Sequence, residues 1–387
     1  MTEAAVIVAA QRSPMGRAIK GQFAHTRIDD LGAEVIRACL ATVPQLSWDA
    51  IDDVMIGCAM PEGEQGLNVA RNIAFLAGLP FSAGAVTINR FCASSLTAIN
   101  MAAAHIQSGN GSVFVVGGVE SMSHVPMGGF NPSLNPKLLL TAGCPQAYIG
   151  MGTTAGNLAR KFSITRQAQD EFALRSHHNA VAAMENGVFK NEIVPVTAVQ
   201  ADGSTKFVQT DEGPRPDSSL EALAKLKPAF ENDGTVTAGN SSPLTDGAAA
   251  VIVMSASKAK QLGIRPLARI VAFDVAGVDP ATMGEGPTFA VPKALKRAGM
   301  KLADIDLIEM NEAFAAQSLA VIQALNIDQA KLNVHGGAIA LGHPLGCTGA
   351  RIMATLLNAL RTHKKTIGLE TMCVGGGQGV ATIVELQ

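Results

Sequence analysis

Strands and helices alternate along most of this chain, the alternation restarts part-way, and a long irregular stretch interrupts the first run. Together these predict a layered α/β fold of two related units with a loop-rich insertion. At 387 residues the chain exceeds the size at which a single core keeps growing, so more than one core unit is expected. Hydrophobic residues make up 48% and charged residues 16%, a composition that buries surface well and argues against disorder.

The first run opens at Ala4–Ala10, a short β-branched apolar stretch that reads as a buried strand. Arg12–Phe23, rich in glycine and basic residues, reads as a surface loop. Leu31, Val35, Cys39 and Leu40 keep near-helical spacing over Asp29–Ala41, with Asp29 or Asp30 as N-cap and Pro44 as the stop. Asp53–Cys58 reads as a strand, Asn68–Gly78 as a helix and Ala85–Ile88 as a short strand. Leu96, Ile99, Ala103 and Ile106 then share one helical face that ends at Gly109. Val113–Val116 is a buried strand running into Gly117-Gly118.

The composition changes after Ser121. Residues 121–150 are rich in Gly, Pro, Asn and Met and read as a long loop. Thr153–Phe162 and Thr165–Asn186 read as helices, the second with Thr165 as N-cap, and residues 187–245 are again irregular, with several prolines and short strand-like pieces. Insertions of this length in a compact domain are usually functional. Ala248–Met254 resumes an apolar strand, as though the chain returns to its first sheet. The expected division is 1–120 plus 247–268 for the first half, 121–246 for the insertion and 269–387 for the second half.

In the second half Phe289–Ala298 is a helix capped by Gly299, and M-K-L-A-D-I-D-L-I-E-M follows. That run aligns with L-S-W-D-A-I-D-D-V-M-I at Leu46–Ile56 when Ile51-Asp52 is laid on Ile305-Asp306. Ile367–Cys373 leading to Gly375-Gly376 likewise resembles Val113–Val116 leading to Gly117-Gly118. The two units therefore read as an internal duplication.

Thirty basic and 32 acidic residues leave a net charge of −2, so no global field advertises nucleic acid, and an anionic ligand must be caught by local groups. The longest apolar runs are strand-sized and far short of a membrane span. The start M-T-E-A-A-V-I-V lacks the basic region and long apolar segment of a secretory signal. The six cysteines form no C-x-x-C pair and do not cluster with the eight histidines, which disfavours a disulfide framework and any metal site. Reduced thiols and a cytoplasmic location are expected.

Four positions carry candidate chemistry. Cys373 stands before three glycines, which suits either a small buried hydrophobe or a thiol beside a loop of close-approaching backbone. Cys92 lies at a strand-to-helix junction, where helix N–H groups favour a thiolate, whereas Cys39 on an apolar helix face reads as core. His335 and His343 both sit among glycines in N-V-H-G-G-A-I-A-L-G-H-P-L-G-C-T-G, and local sequence does not choose between them. Asn311-Glu312 follows a strand-like run and suits either a sheet-edge site or a helix cap. The G-G-G-Q-G run is not a dinucleotide fingerprint, because a βαβ unit does not fit in the eight residues after Gly379. A loop of free N–H groups beside a thiol is better suited to an oxyanion.

Taken together these motifs resemble the thiolase family over essentially the whole chain. N-R-F-C-A-S-S at Cys92 is similar to the family's acyl-enzyme cysteine motif, and N-E-A-F-A at Asn311, G-H-P-L-G-C-T-G at His343, M-C-V-G-G-G-Q-G at Cys373 and T-A-G-N-S-S-P-L-T-D-G-A-A-A at Thr237–Ala250 follow the family pattern. The resemblance implies an α/β thiolase fold: two duplicated α-β-α-β-α halves stacked in five layers, with an inserted loop domain that binds coenzyme A. It implies a ping-pong reaction on 3-ketoacyl-CoA, with CoA as co-substrate and no permanently bound cofactor. Cys92 would be the nucleophile, and Cys373 the proton donor and acceptor, its pKa tuned near neutral. His343 and a water on Asn311 would hold the enolate oxygen, and the N–H groups of Cys92 and Gly375 would form a second oxyanion hole. Arg215 matches a position near the nucleotide and Ser242 one near the pantetheine, while Met151, Leu226, Phe230 and Ala238 match channel-lining positions. Arg215 reads equally as a solvated surface charge.

Gly150-Met151 departs from the His-Met of short-chain acetoacetyl-CoA thiolases, and H-V-P-M-G-G at His124–Gly129 is more like bacterial β-oxidation thiolases. A degradative enzyme is therefore expected, as a homodimer or homotetramer, with a β-oxidation multienzyme subunit as a further partner. The alternative is an acetoacetyl-CoA thiolase working on short chains. A condensing enzyme of the ketoacyl synthase type would carry histidine in place of Cys373. A non-catalytic lipid carrier would lack one of Cys92, His343 and Cys373, and a papain-like hydrolase gives Asn311 and Cys373 no role.

Overall fold

The computed structural model describes residues 3–140 and 143–387. Five strands form its first half: β1 (Ala5–Arg12), β2 (Asp53–Gly57), β3 (Gly84–Ile88), β4 (Val113–Glu120) and β5 (Thr245–Ser255). Their order is β3-β2-β4-β5-β1, with β2 parallel to both neighbours and β5 antiparallel to β4 and β1. The second half holds β6 (Ala268–Gly277), β7 (Leu307–Met310), β8 (Ile367–Val374) and β9 (Gln378–Leu386) in the order β7-β8-β9-β6. Here β7 is parallel to β8 and the other pairs are antiparallel, repeating the first half strand for strand. A parallel bridge from Ile308 to Leu332 stands where β3 stands in the first half. The halves join where β1 meets β6 at Val6–Arg269 and Ile7–Ala268.

The duplicated Ile-Asp register has a structural counterpart. Asp52 accepts the N–H groups of Ser112 and Val113 at 2.7 and 2.9 Å. Asp306 accepts those of Thr366 and Ile367 at 3.0 and 2.8 Å. Each carboxylate thus fixes the start of the neighbouring parallel strand in its own half.

Among the described residues the longer helices are α1 (Ile28–Ala41), α2 (Val69–Leu76), α3 (Ser94–Ser108), α4 (Met151–Lys161), α5 (Arg166–Glu185), α6 (Gly286–Ala298), α7 (Ala315–Leu325) and α8 (Thr348–Thr362), of which α4 and α5 belong to the insertion. Leu31, Val35 and Ile73 of α1 and α2 pack on the outer face of the first half. Val291, Ala294 and Val321 of α6 and α7 do the same for the second. Leu96 and Ile99 of α3 pack with Met353 and Leu356 of α8 in one core that also takes Val253 and Met372 from the two halves. Every residue of α8 from Thr348 to Leu360 is buried, as a helix enclosed on all sides requires. The result is five layers, α-β-α-β-α, with the chain's motifs meeting at the N-terminal ends of the two central helices.

Three expectations change. Arg12–Phe23 reaches the surface only between Arg17 and Gln22, and at its ends Arg12, Met15 and Phe23 are at most 1% exposed. Arg12 bonds Glu192 at 2.7 Å and Asp211 at 2.8 and 2.9 Å, and the Met15 N–H also donates to Asp211, so the insertion covers this stretch. Helix α1 begins after Arg27, ahead of Asp29 and Asp30, with no cap from its own N-cap side chain; the Glu64 carboxylate accepts the Ile28 N–H at 2.9 Å instead. The insertion also carries short helices that its composition did not suggest, while the strand-like pieces within 187–245 are present. It forms short helices at Pro136–Leu140 and Leu220–Ala224 and a two-stranded ribbon of Val196–Val199 with Thr205–Val208. The loop read at 121–150 includes residues 141 and 142, which lie outside the described residues. Among the described residues, no helix is long and apolar enough to cross a membrane, and no group of three or more His, Cys, Asp or Glu is arranged to hold a metal.

Candidate active site

Cys92 lies in a tight turn, Phe91–Ala93, that leads from β3 into α3. Phe91 has φ +42°, a left-handed conformation that an aromatic residue adopts only when its surroundings impose it. The imposition is visible. Asn89 accepts the Phe91 N–H at 2.8 Å, and Ser94 Oγ accepts the Arg90 N–H at 2.9 Å and donates to Phe91 O at 2.7 Å. The turn presents the Cys92 sulfur to its own N–H and to the N–H of Gly375.

Helix N–H groups alone would lower the thiol pKa, as the sequence suggests. Burial outweighs them: Cys92 is 7% exposed, and desolvation, with the Glu120 carboxylate adding to it, pushes its thiol up to about 12. Cys373, at the end of β8, is fully buried and faces Cys92. Burial first, and the charge of an ionised Cys92 second, hold its thiol well above the ordinary range, not near neutral. In the substrate-free site both sulfurs are protonated.

Three glycines link β8 to β9, and Gly376 and Gly377 have φ of +77° and +84°, which L side chains rarely tolerate. Gly375 is flanked by Phe91 and by the thioether of Met151 at the start of α4. Cys373 itself packs with Ala155, Val236, Ala313 and Phe314, so the insertion forms one wall around it.

His343 follows Gly342 ahead of α8 and is 5% exposed. Its Nδ1 is 2.6 Å from Thr348 Oγ1, and its Nε2 is 3.3 Å from the side-chain amide of Asn311. Burial, with the charge of Arg351 second, lowers its pKa to about 3, so the ring is neutral. Asn311 is fully buried at the end of β7, its N–H donating to Thr371 O at 3.0 Å, and its Oδ1 meets no protein donor. The structure thereby separates the two histidines that sequence did not. His335 pairs with His363 at 3.2 Å and lies edge-on to Phe189 instead.

Of the coenzyme A candidates, Met151 reaches Gly375, and Ser242 donates its N–H and Oγ to Ala313 O at 3.0 and 3.1 Å, two residues beyond Asn311. Phe230 lies over Gly152 and edge-on to Phe314 at 5.8 Å. Leu226 packs on Gly239, next to exposed Ala238, and Arg215 is exposed on the insertion with its N–H donated to His177.

A model of the thiolase N-terminal domain matches residues 5–257, and one of the thiolase C-terminal domain matches residues 264–386. The chain belongs to the thiolase family. It is 49% identical over 390 residues to a 3-ketoacyl-CoA thiolase of Bacillus subtilis and 51% identical over 391 residues to one of Cronobacter sakazakii, covering 99% of both chains in each case. Its fold is similar to the crystal structure of human mitochondrial 3-ketoacyl-CoA thiolase, with a TM-score of 0.91, 38% identity and coverage of 100% of this chain and 99% of that one. The Bacillus anthracis acetyl-CoA acetyltransferase superimposes with a TM-score of 0.91, 42% identity and the same coverage.

Sequence reading missed one organiser of this thiolase site. Glu120, buried at the end of β4, accepts Ala59 N–H at 2.8 Å, Met60 N–H at 3.1 Å, Gln65 Nε2 at 2.9 Å and Gly346 N–H at 2.7 Å. It therefore ties the loop bearing His343 to the wall around Cys92. The absent Cβ of Gly118 permits this, because one there would stand 2.4 Å from Gly346 O. An acid two residues past a Gly-Gly pair at a strand end was the available signal.

Proposed function

We propose that this chain cleaves 3-ketoacyl-CoA with CoA, giving acetyl-CoA and a shortened acyl-CoA, as a degradative enzyme of fatty-acid β-oxidation. The observation that carries this reading is the meeting of two buried thiols with the N–H of Gly375, close to a neutral histidine paired with an asparagine. One thiol suffices for acyl transfer; a second is needed when a carbanion must also be protonated.

The Cys92 thiolate bonds to the 3-keto carbon, its oxygen held by the N–H groups of Cys92 and Gly375. The bond between C2 and C3 breaks, and its electron pair passes into the enolate of acetyl-CoA, whose oxygen is held by His343 and a water on Asn311. Cys373 gives its proton to C2 and becomes the thiolate. It then takes the proton of incoming CoA, whose sulfur attacks the acyl group on Cys92 and releases the shortened acyl-CoA. Cys92 is left as a thiolate and Cys373 as a thiol, ready for the next cycle. Burial holds both thiols above their ordinary range in the empty site, so Cys92 gives its proton to solvent before the first turnover.

Met151, Ser242, Leu226, Phe230 and Ala238 would line the pantetheine channel, with Arg215 at the nucleotide end. CoA is the co-substrate, and no permanently bound cofactor enters the chemistry. A cytoplasmic homodimer or homotetramer, working with a β-oxidation multienzyme subunit, completes the reading. Turnover across a series of 3-ketoacyl-CoA chain lengths tests it: activity extending to long chains supports it, and activity confined to acetoacetyl-CoA supports the short-chain alternative.

A further inference from the structure

Thr348 Oγ1 stands 2.9 Å from Pro344 O and 2.6 Å from His343 Nδ1. A hydroxyl has one proton to give, so these two contacts compete. If the proton goes to Pro344, Oγ1 must accept from Nδ1–H, and Nε2 is left as a bare lone pair facing Asn311. If it goes to His343, Nδ1 is the acceptor and the single ring proton sits on Nε2. Only the second arrangement lets Nε2 donate to an oxygen in the site.

The contact lengths favour the second arrangement. The contact to His343 is the shorter one and falls with bonds donated by O–H, whereas N–H···O bonds centre at about 2.9 Å. As placed, Asn311 presents Nδ2 to Nε2; the second arrangement calls for a half-turn of that amide, which exchanges Nδ2 and Oδ1 so that Oδ1 accepts from Nε2–H.

We infer that Thr348 is a positioning residue: by donating to Nδ1 it fixes His343 as the Nε2–H tautomer and so makes it an oxyanion donor. This rests on the reaction proposed above. Thr348 is suited to the task because it is fully buried in the first turn of α8, where it is held by the central layer. The neutrality of the His343 ring leaves it only one proton to place.

The test joins a spectroscopic readout to kinetics. Side-chain 15N spectra of the full-length protein, with the His343 signal assigned from H343N, should show a protonated Nε2 and an unprotonated Nδ1. Thr348→Val keeps the shape and removes the hydroxyl; kcat should fall by about 10- to 100-fold with little change in KM, in line with other groups that orient a functional histidine. Thr348→Ser should restore kcat to within a few-fold. A wild-type ring protonated at Nδ1, or an unaltered kcat in T348V, overturns the inference. Absence of thiolysis in the wild-type protein would remove the proposed reaction while leaving the tautomer measurement valid, so the two failures are distinguishable.

Discussion

The backbone N–H of Gly375 is directed at the sulfur of Cys92, although one residue lies in the last hairpin of the chain and the other in its first half. The duplication makes this meeting possible. Equivalent helices α3 and α8 pack together in the middle layer, so a strand end from each half opens at the same place. One half supplies Cys92 and the other supplies Cys373, His343 and Asn311.

Burial of the nucleophile has a measurable consequence. With its thiol pushed up to about 12, Cys92 is ionised to a fraction that grows tenfold for each pH unit below that value. Alkylation of Cys92 by iodoacetamide in the substrate-free protein should therefore accelerate steadily between about pH 7 and about pH 10, without a plateau. A plateau near neutral pH would mean that the helix N–H groups outweigh desolvation after all.

Replacing the second thiol separates the two half-reactions. Cys373→Ser should still acylate Cys92 in a single-turnover burst, while steady-state thiolysis falls by about 10²- to 10⁴-fold, the range of a lost acid–base group. Equal loss of the burst and of turnover would contradict a proton-transfer role for Cys373.

If His343 holds the enolate oxygen as proposed, its removal should act on kcat. His343→Ala is expected to lower kcat by about 10²- to 10³-fold, as for other oxyanion-hole donors, with a smaller effect on KM. A change confined to KM would place His343 in substrate binding instead.

The insertion is fastened by a buried charge. Arg12 is fully enclosed with Glu192 and Asp211 as partners, and Arg12→Ala leaves both carboxylates buried without their cation. Urea unfolding should show a loss of about 3–5 kcal/mol. A loss below about 1 kcal/mol, the level of exposed pairs, would show that water reaches the vacated site.

How much of this was legible in the sequence follows from the range of each interaction. Helix α3 and strand β5 are written in local spacing, and the Ile-Asp repeat announced the duplication because the same carboxylate-to-strand bond is made twice. Arg12 misled because its partners, Glu192 and Asp211, are far away in sequence, and an arginine among glycines looks solvated until they are known. Cys373 was found from its glycine neighbours and Cys92 from its strand-to-helix junction, but their pKa values were not, since desolvation depends on how the whole site closes. His335 and His343 look alike locally, and only the placement of Asn311 and Thr348 separates them.

The central claim is that Cys92 carries the acyl group. Mixing the protein with a 3-ketoacyl-CoA in the absence of CoA, followed by peptide mass spectrometry, tests it most directly. The account predicts the shortened acyl group on the Cys92 peptide, one equivalent of acetyl-CoA released, and neither product with Cys92→Ala. An acyl group found on Cys373, or thiolysis that persists in Cys92→Ala, would contradict it.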